Sequence, residues 1–175
     1  DFTKIDVQKV SVIVGGIDEK DFYTPSGVLR AEFAQQLHIP LDIPIVLYAG
    51  RIIPQKGLSY LIDAALLLLR EKRFSIVVAG ASMNKAYDKK IREQINQTPF
   101  KNSFYFLGHI HPLKMSCMID VADCLVTPSI YEPFGMVNLQ AAFLGKDIIT
   151  TEETGSSDLL RSYEMIRKDF ILAGF

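Results

Sequence analysis

Short apolar runs alternate along this chain with longer segments in which apolar residues recur at helical spacing. This alternation is typical of βαβ units, in which helices connect the strands of a parallel sheet. The runs are nearly all apolar rather than alternating with polar residues, so the strands they predict should be covered on both faces. Six strands are predicted: Val10–Val14, Ile43–Ala49, Phe74–Ala79, Phe104–Leu107, Asp123–Thr127 and Asp147–Thr151.

Helices are predicted between these runs, because the apolar residues there fall on one stripe. Asn84 is a residue type that caps helix N-termini, and Pro112 is tolerated in a first helical turn. The predicted helices are Val28–Gln36, Leu58–Lys72, Asn84–Gln97, Pro112–Val121, Met136–Leu144 and Asp158–Lys168. Right-handed crossovers then give an α/β fold: a doubly wound parallel sheet in an α/β/α sandwich, whose ligands bind at the carboxyl ends of the strands.

The length of 175 residues suits one compact domain over residues 1–175. Segment 18–42 is interpreted as a lead-in with one short helix rather than as a second domain. Hydrophobic residues make up 49% and charged residues 22%, near the average for soluble globular proteins. The formal net charge of −1 does not favour a nucleic-acid surface, so any bound polyanion must be met by a local cluster of donors.

Neither end of the chain has the sequence features of a natural terminus. The chain lacks an initiator Met and stops on the apolar run Ile171–Phe175. We therefore expect it to be a piece of a longer protein. The sequence shows no signal-peptide pattern and no apolar run close to the ~18 residues of a membrane span.

The cysteine and histidine residues indicate which redox environment and which metal sites the sequence allows. Cys117 and Cys124 are seven residues apart in apolar surroundings, and one pair gives no disulfide framework. Buried free thiols are therefore predicted, which suits a reducing cytoplasm as the expected location. His109 and His111 have no carboxylate or thiol at ligand spacing, so no metal is predicted.

A candidate anion site directly follows the second predicted strand, in the loop Gly50–Gly57. Gly50 lets the backbone turn sharply at the strand end. Arg51 and Lys56 flank the loop, which leads into a predicted helix N-terminus near Leu58. Two cations beside a helix N-terminus suit a phosphate group, although the segment lacks the pattern of a Walker loop. The alternative is a solvated loop that carries surface charges.

A second cluster, residues 128–141, also lies between a predicted strand and a predicted helix. Glu132 stands at the turn, where its carboxylate can accept two hydroxyl groups at once, as a sugar ring requires. Gly135 allows a ligand to approach closely, and its N–H and that of Met136 should face the same cleft. Gln140, eight residues after Glu132, lies on the helix and could face inward. The alternative for Glu132 is a carboxylate that only stabilises the helix N-terminus.

Several segments, in order along most of the chain, resemble the C-terminal domain of family 4 glycosyltransferases, a group 1 glycosyltransferase family. The E-x7-E segment of that family is similar to Ser129–Gly135 and the residues that follow. The full set of matching segments is Val12–Asp18, Gly50–Arg51, Lys56–Leu58, Leu61–Ala64, Phe106–Gly108, Ser129–Gly135, Ala141–Lys146 and Gly155–Asp158.

The resemblance implies one Rossmann-like half of a GT-B fold, the half that binds a UDP- or GDP-linked nucleotide-diphospho-sugar. Transfer of a hexose-type sugar would go with retention, by front-face attack assisted by the leaving phosphate. Neither a metal, another cofactor nor a protein nucleophile would be needed, which fits the lack of a convincing Ser-His-Asp or Cys-His set. The expected partners are the nucleotide sugar and the N-terminal acceptor-binding domain of the same protein, which would also mediate any membrane association. The isolated domain should be inactive.

The same resemblance implies roles for individual residues. Arg51 and Lys56 would neutralise the diphosphate as it leaves, and Glu132 would bind hydroxyls of the donor sugar. The remaining donor-binding positions would be Gly50, the base-proximal turn Gly108, His109 and Ile110, the backbone of Phe134, Gly135, Met136 and Val137, and the helix residue Gln140.

Four positions depart from the family pattern. Gln140 replaces the second Glu, which in the family binds the ribose, and Gly15 stands where Asn is usual. Gly155-Ser156 replaces a Gly-Gly pair, and Asp158 replaces a Glu. A catalytically degenerate GT-B module that acts in binding or scaffolding is therefore an open alternative. So is a nucleotide-sugar epimerase of the same fold, although it would need acid/base carboxylates and histidines at the interdomain cleft.

Overall fold

The computed structural model describes residues 11, 13, 15–18, 27–162 and 171–172. Its helices are α1 (Gly27–Gln36), α2 (Leu58–Leu68), α3 (Lys85–Asn96), α4 (Pro112–Val121), α5 (Met136–Phe143) and α6 (Ser157–Ser162). Its strands are β1 (Ile45–Ala49), β2 (Ser75–Ala79), β3 (Phe104–Gly108), β4 (Cys124–Thr127), β5 (Asp147–Thr151) and β6 (Ile171–Leu172).

The strands form a single sheet in the order β3-β2-β1-β4-β5-β6, and every neighbouring pair is parallel. The chain builds outward from β1 through β2 to β3 and then returns to place β4 on the other side of β1. This reversal confirms the predicted doubly wound sheet. It also makes the carboxyl ends of β1 and β4 the topological switch point, where such sheets bind their ligands.

Alternate residues of β1 face opposite sides of the sheet, as the pleat of a strand requires. Ile45, Leu47 and Ala49 are buried in a core cluster that contains residues of α1, α4 and α5. Tyr48 is buried in a second cluster, which contains residues of α2 and α3 and against which Val46 packs. The sheet is therefore covered on both faces, and the predicted α/β/α layering is confirmed.

Five of the six predicted strands are present, with bounds that shift by at most two residues. The prediction for Val10–Val14 falls largely outside the described residues. Ser11 and Ile13, the two of its members that are described, do not lie in a strand. The sequence did not predict β6, a two-residue strand that pairs with Thr150 and Thr151 of β5.

The predicted helices are also confirmed, with one error of extent. Asn84 caps α3 as expected, since its side-chain oxygen accepts a 3.0 Å hydrogen bond from the N–H of Tyr87. The prediction that the second helix runs to Lys72 is wrong, because α2 ends at Leu68. There the N–H groups of Arg70 and Glu71 donate to carbonyls three residues back, which turns the chain out of the helix. The end of the predicted Asp158–Lys168 helix, from residue 163, lies outside the described residues.

Cys117 and Cys124 are free thiols, as predicted, although each is partly rather than fully buried. Burial raises the pKa of the Cys124 thiol to about 11, and the nearby carboxylates of Asp147 and Asp123 add to the effect. In the described part of the chain, no helix is long and apolar enough to cross a membrane.

Candidate functional site

Two loops meet at the switch point of the sheet: residues 50–57, which follow β1, and residues 128–135, which follow β4. The N–H of Ile130 donates a 2.9 Å hydrogen bond to the carbonyl of Gln55. The side chain of Gln55 donates a 3.0 Å bond in return to the carbonyl of Tyr131. The two segments that the sequence singled out therefore form one structure.

Gly57 is the position at which the loops come closest. Its φ of 66° is in the left-handed region, and it ends the 3-10 turn Pro54–Lys56 just before α2 begins. A Cβ atom at Gly57 would lie 1.7 Å from the carbonyl oxygen of Pro128. Only glycine fits this crossing, because both the conformation and the space exclude a side chain.

An ion pair between Lys56 and Glu132 joins the two loops at the centre of the site. The ammonium Nζ of Lys56 contacts Oε2 of Glu132. The two side chains are only 11% and 22% exposed, respectively, so water screens this pair much less than it would a pair on the surface. The structure thus brings Lys56, which is predicted to bind phosphate, into direct contact with Glu132, which is predicted to bind the sugar.

The backbone of Glu132 is fixed from the neighbouring loop, which follows β5. Its N–H donates to the carbonyl of Glu153 at 3.1 Å, and its carbonyl accepts from the N–H of Gly155 at 2.9 Å. These bonds form an isolated parallel bridge between Glu132 and Thr154. The carboxylate therefore projects from a rigid position. It does not act as a helix cap, because α5 begins at Met136 with Gly135 as its N-cap.

Beside the ion pair lies a small cavity of about 30 Å³, large enough to hold a water molecule. Its lining comprises Tyr48, Ala49, Gly50, Lys56, Thr127, Ser129, Glu132, Gly135, Val137 and Asn138. A larger cavity, of about 320 Å³, lies at the β3 edge of the sheet between α3 and β3. We assign the candidate site to the smaller cavity, because it lies at the switch point and contains the paired charges.

Tyr48 anchors the start of the first loop. Its hydroxyl donates a 2.9 Å hydrogen bond to the carbonyl of Arg51. Tyr48 is only 1% exposed. Burial raises the pKa of this phenol, and the charges of Tyr87 and Glu132 raise it further, while Arg51 opposes them. The hydroxyl therefore stays protonated and remains a donor. The side chain of Arg51 is exposed, and no ion pair among the described residues involves it.

A buried network of hydroxyl and amide groups supports the floor of the site. Asn138, in the first turn of α5, is fully buried, and its Oδ1 accepts a 2.9 Å bond from Thr127. Its Nδ2 donates to Thr150 at 3.3 Å and lies 3.5 Å from the hydroxyl of Ser156. Sequence reasoning missed this network. Its signal was the presence of polar Thr residues at the carboxyl ends of otherwise apolar strands.

The N-termini of the two helices that follow these loops differ in their free donors. At α2 the N–H of Ser59 donates to the phenol of Tyr87, so part of the expected anion site there is already occupied. Both N-caps, Gly57 of α2 and Gly135 of α5, are left-handed glycines with no side-chain cap, but at α5 no side chain among the described residues accepts from an N–H of the first turn. The positive end of α5 is therefore better placed than that of α2 to meet an anion.

Of the other residues predicted to bind the donor, three lie at or just before the start of α5 and one lies farther along that helix. Val137 lines the small cavity, Met136 is exposed at the start of α5, and the ring of Phe134 lies 3.5 Å from where a Cβ atom of Gly15 would be. Gln140 is partly buried farther along α5, outside the cavity lining.

The turn Gly108–Ile110 follows β3, two strands away from β1 but at the same edge of the sheet. Gly108 has a φ of 67° and its carbonyl accepts from the N–H of Gly80, while His109 is exposed and Ile110 packs on the core. This turn does not line the cavity beside the ion pair. Among the described residues, no group of three or more His, Cys, Asp and Glu could hold a metal ion.

Known proteins are similar to this chain over most of its length. The family described as Glycosyl transferases group 1 matches residues 30–172. An uncharacterized glycosyltransferase of Methanocaldococcus jannaschii is 29% identical over 154 residues, which cover 87% of this chain and 39% of that protein. The crystal structure of Anabaena HepE in complex with UDP and glucose is 25% identical with a TM-score of 0.78, and the match covers 88% of this chain and 41% of that one.

One solved structure has a length comparable to that of this chain. It is the C-terminal domain of a glycosyl transferase group 1 family protein (LpcC) from Francisella tularensis, with 21% identity and a TM-score of 0.73. The match covers 91% of this chain and 80% of that domain. By contrast, this chain spans about two fifths of the length of the curated relatives that it matches.

Proposed function

Because the chain belongs to the group 1 glycosyl transferases, we propose that it is the half of a GT-B enzyme that binds a nucleotide-diphospho-sugar. The whole protein would transfer the sugar to an acceptor with retention at the anomeric carbon. The transfer would need no metal ion, and an N-terminal domain of the same protein would bind the acceptor.

The ion pair of Lys56 and Glu132 at the switch point is the observation that carries this proposal. A nearly buried ammonium group is suited to a phosphate oxygen, and a carboxylate beside it can accept hydroxyl groups of an attached sugar. The exposed Arg51, in the same loop as Lys56, would supply a second cation to the diphosphate.

The departing diphosphate gains negative charge in the transition state, so catalysis needs positive groups fixed where that charge develops. Lys56 would meet this need, because the turn Pro54–Lys56 and the crossing at Gly57 fix its backbone. The uncapped N-terminus of α5 adds a positive dipole end beside the same cavity. Glu132 would orient the sugar rather than attack it, since Lys56 engages its carboxylate.

The HepE structure, which contains UDP and glucose, supports the ligand class of the proposal. Calorimetric titration of this chain with UDP, GDP and ADP, each at millimolar concentration, tests it directly. We expect one of these nucleotides to bind, and Lys56→Met to weaken that binding by roughly tenfold or more, the value of one lost charge-assisted bond. If none of the three binds to the folded wild-type chain, the proposed function is wrong.

Gln140 is the observation that favours a second candidate, a degenerate module that binds or scaffolds without catalysis. A neutral amide gives a hydroxyl a weaker bond than the carboxylate that the family pattern has at this position. On this alternative, Gln140→Glu should raise the nucleotide affinity of the chain by several-fold, roughly the value of one charge-assisted hydrogen bond. An unchanged affinity would count against degeneracy.

A further inference from the structure

Lys56 and Glu132 neutralise each other at the centre of the site. We propose that this internal ion pair makes the site selective for sugar-linked nucleoside diphosphates over the bare nucleoside diphosphate. A phosphate that binds Lys56 must compete with Glu132 for its ammonium group, and the hydroxyl groups of an attached sugar can then satisfy the carboxylate. The inference rests on the proposed function of the site.

A bare diphosphate meets two unfavourable effects here. It must compete with Glu132 for the ammonium of Lys56, and after displacement it faces a carboxylate that has lost its counter-charge. Like charges a few ångströms apart in a partly buried site repel strongly, because little water screens them. Glu132 cannot escape by a backbone shift, since Glu153 and Gly155 hold its N–H and its carbonyl.

A sugar on the diphosphate removes the second effect. Its hydroxyl groups donate hydrogen bonds to the carboxylate, which replaces the lost ammonium donor with neutral donors. The two parts of the donor therefore favour each other's binding, as in any pair of linked ligands. Glu132 thus acts as a specificity residue as well as a sugar ligand.

Substitution of Glu132 by Gln separates the two roles, because Gln keeps the shape and the hydrogen-bonding ability but loses the charge. We expect Glu132→Gln to raise the affinity of the chain for bare nucleoside diphosphate and for inorganic pyrophosphate by about fivefold or more, at the lower end of typical coupling effects. The affinity for the sugar-linked form should stay level or fall. The ratio of the two affinities should therefore shift toward the bare nucleotide.

Two control variants isolate the charge. Glu132→Asp keeps the negative charge and shortens the side chain, so it should not raise the affinity for the bare nucleotide. Asp120→Asn breaks the partly buried Lys146–Asp120 ion pair, whose side chains are 16% and 13% exposed, and should leave both affinities unchanged. The titrations use the nucleoside diphosphate, among UDP, GDP and ADP, that the wild-type chain binds.

The outcomes distinguish this inference from the proposed function. If the wild type binds a nucleotide but Glu132→Gln leaves the affinity for the bare form unchanged or lowers it, the selectivity inference fails alone. If the wild type binds neither nucleotide nor pyrophosphate, both fail. If circular dichroism shows that Glu132→Gln is unfolded, the wild-type chain provides the test. We then expect it to bind a sugar-linked nucleotide more tightly than the bare nucleotide. Equal affinities would overturn the inference.

Discussion

The hydroxyl of Tyr48, the second-to-last residue of strand β1, donates a 2.9 Å hydrogen bond to the carbonyl of Arg51. This bond spans the point at which the strand ends and the loop begins. Because the phenol is buried and its pKa is raised, the donor proton is kept over the physiological pH range. A core residue thereby fixes the backbone of the residue that carries the exposed cation.

Tyr48→Phe removes this bond and leaves the ring in the core. We expect a loss of about 1 kcal/mol of stability, the usual value of one hydrogen bond, together with weaker nucleotide binding through a looser Arg51. Thermal unfolding and nucleotide titration measure the two effects. Tyr105→Phe, on β3 away from the site, is the control. An affinity loss no larger than that of the control would refute the anchoring role.

Gly57→Ala tests the loop crossing against a matched glycine. The added methyl group would overlap the carbonyl of Pro128, so the variant should lose about 3 kcal/mol or more of stability and bind nucleotide poorly. Gly108→Ala has nearly the same φ, 67° against 66°, but no atom lies within 4 Å of the new Cβ. It should therefore lose only about 1 kcal/mol, from the backbone conformation alone. Similar losses in the two variants, measured by urea unfolding, would show that the crossing is not tight.

Asn138→Leu tests the buried polar network. The substitution leaves the hydroxyls of Thr127 and Thr150 without their amide partner, which should cost about 2–4 kcal/mol because buried polar groups lose their bonds. Asn102→Leu, at an exposed position near β3, should change stability little. We expect unfolding midpoints in urea to separate the two variants clearly. Equal midpoints would mean that water satisfies the network without Asn138.

The Cys124 thiol predicts a specific alkaline dependence. Its pKa rises from 9.0 to about 11 on folding, so the folded state keeps its proton longer than the unfolded chain does. This contribution to stability is fully present below pH 9 and is lost as the pH rises through 11. Cys124→Ala should flatten that part of the stability curve, measured by urea unfolding between pH 8 and 11. An unchanged slope would show that the thiol does not titrate differently in the two states.

The sequence was sufficient for the layering of the fold because strand and helix periodicity are local properties. Asp147–Thr151 and Pro112–Val121 were predicted with their observed bounds. Helix α2 was predicted too long, since the charged segment after Leu68 carries no glycine or proline to mark the stop. Strand β6 was missed because only its pairing with β5 defines it.

The candidate site was predictable in outline but not in its internal contacts. Parallel strands place their following loops at one edge, so the loops of Lys56 and Glu132 could be assigned to the same edge. Their direct pairing joins positions 76 residues apart and depends on which strand lies beside β1. Polar Thr residues at the ends of β4 and β5 signal the Asn138 network, but its hydrogen-bond partners depend on packing between β4, β5 and α5.

Two single-residue bridges extend the sheet past its strand ends. Ile52 pairs with Ser82 on one side of the switch point, and Glu132 pairs with Thr154 on the other. Their N–H groups donate to Ala81 and Glu153, so these loop amides should exchange with deuterium at rates closer to those of strands than of loops. A ligand that enters between them meets walls already in place. Binding should therefore cost little conformational entropy of the backbone. It should also proceed without a slow ordering step.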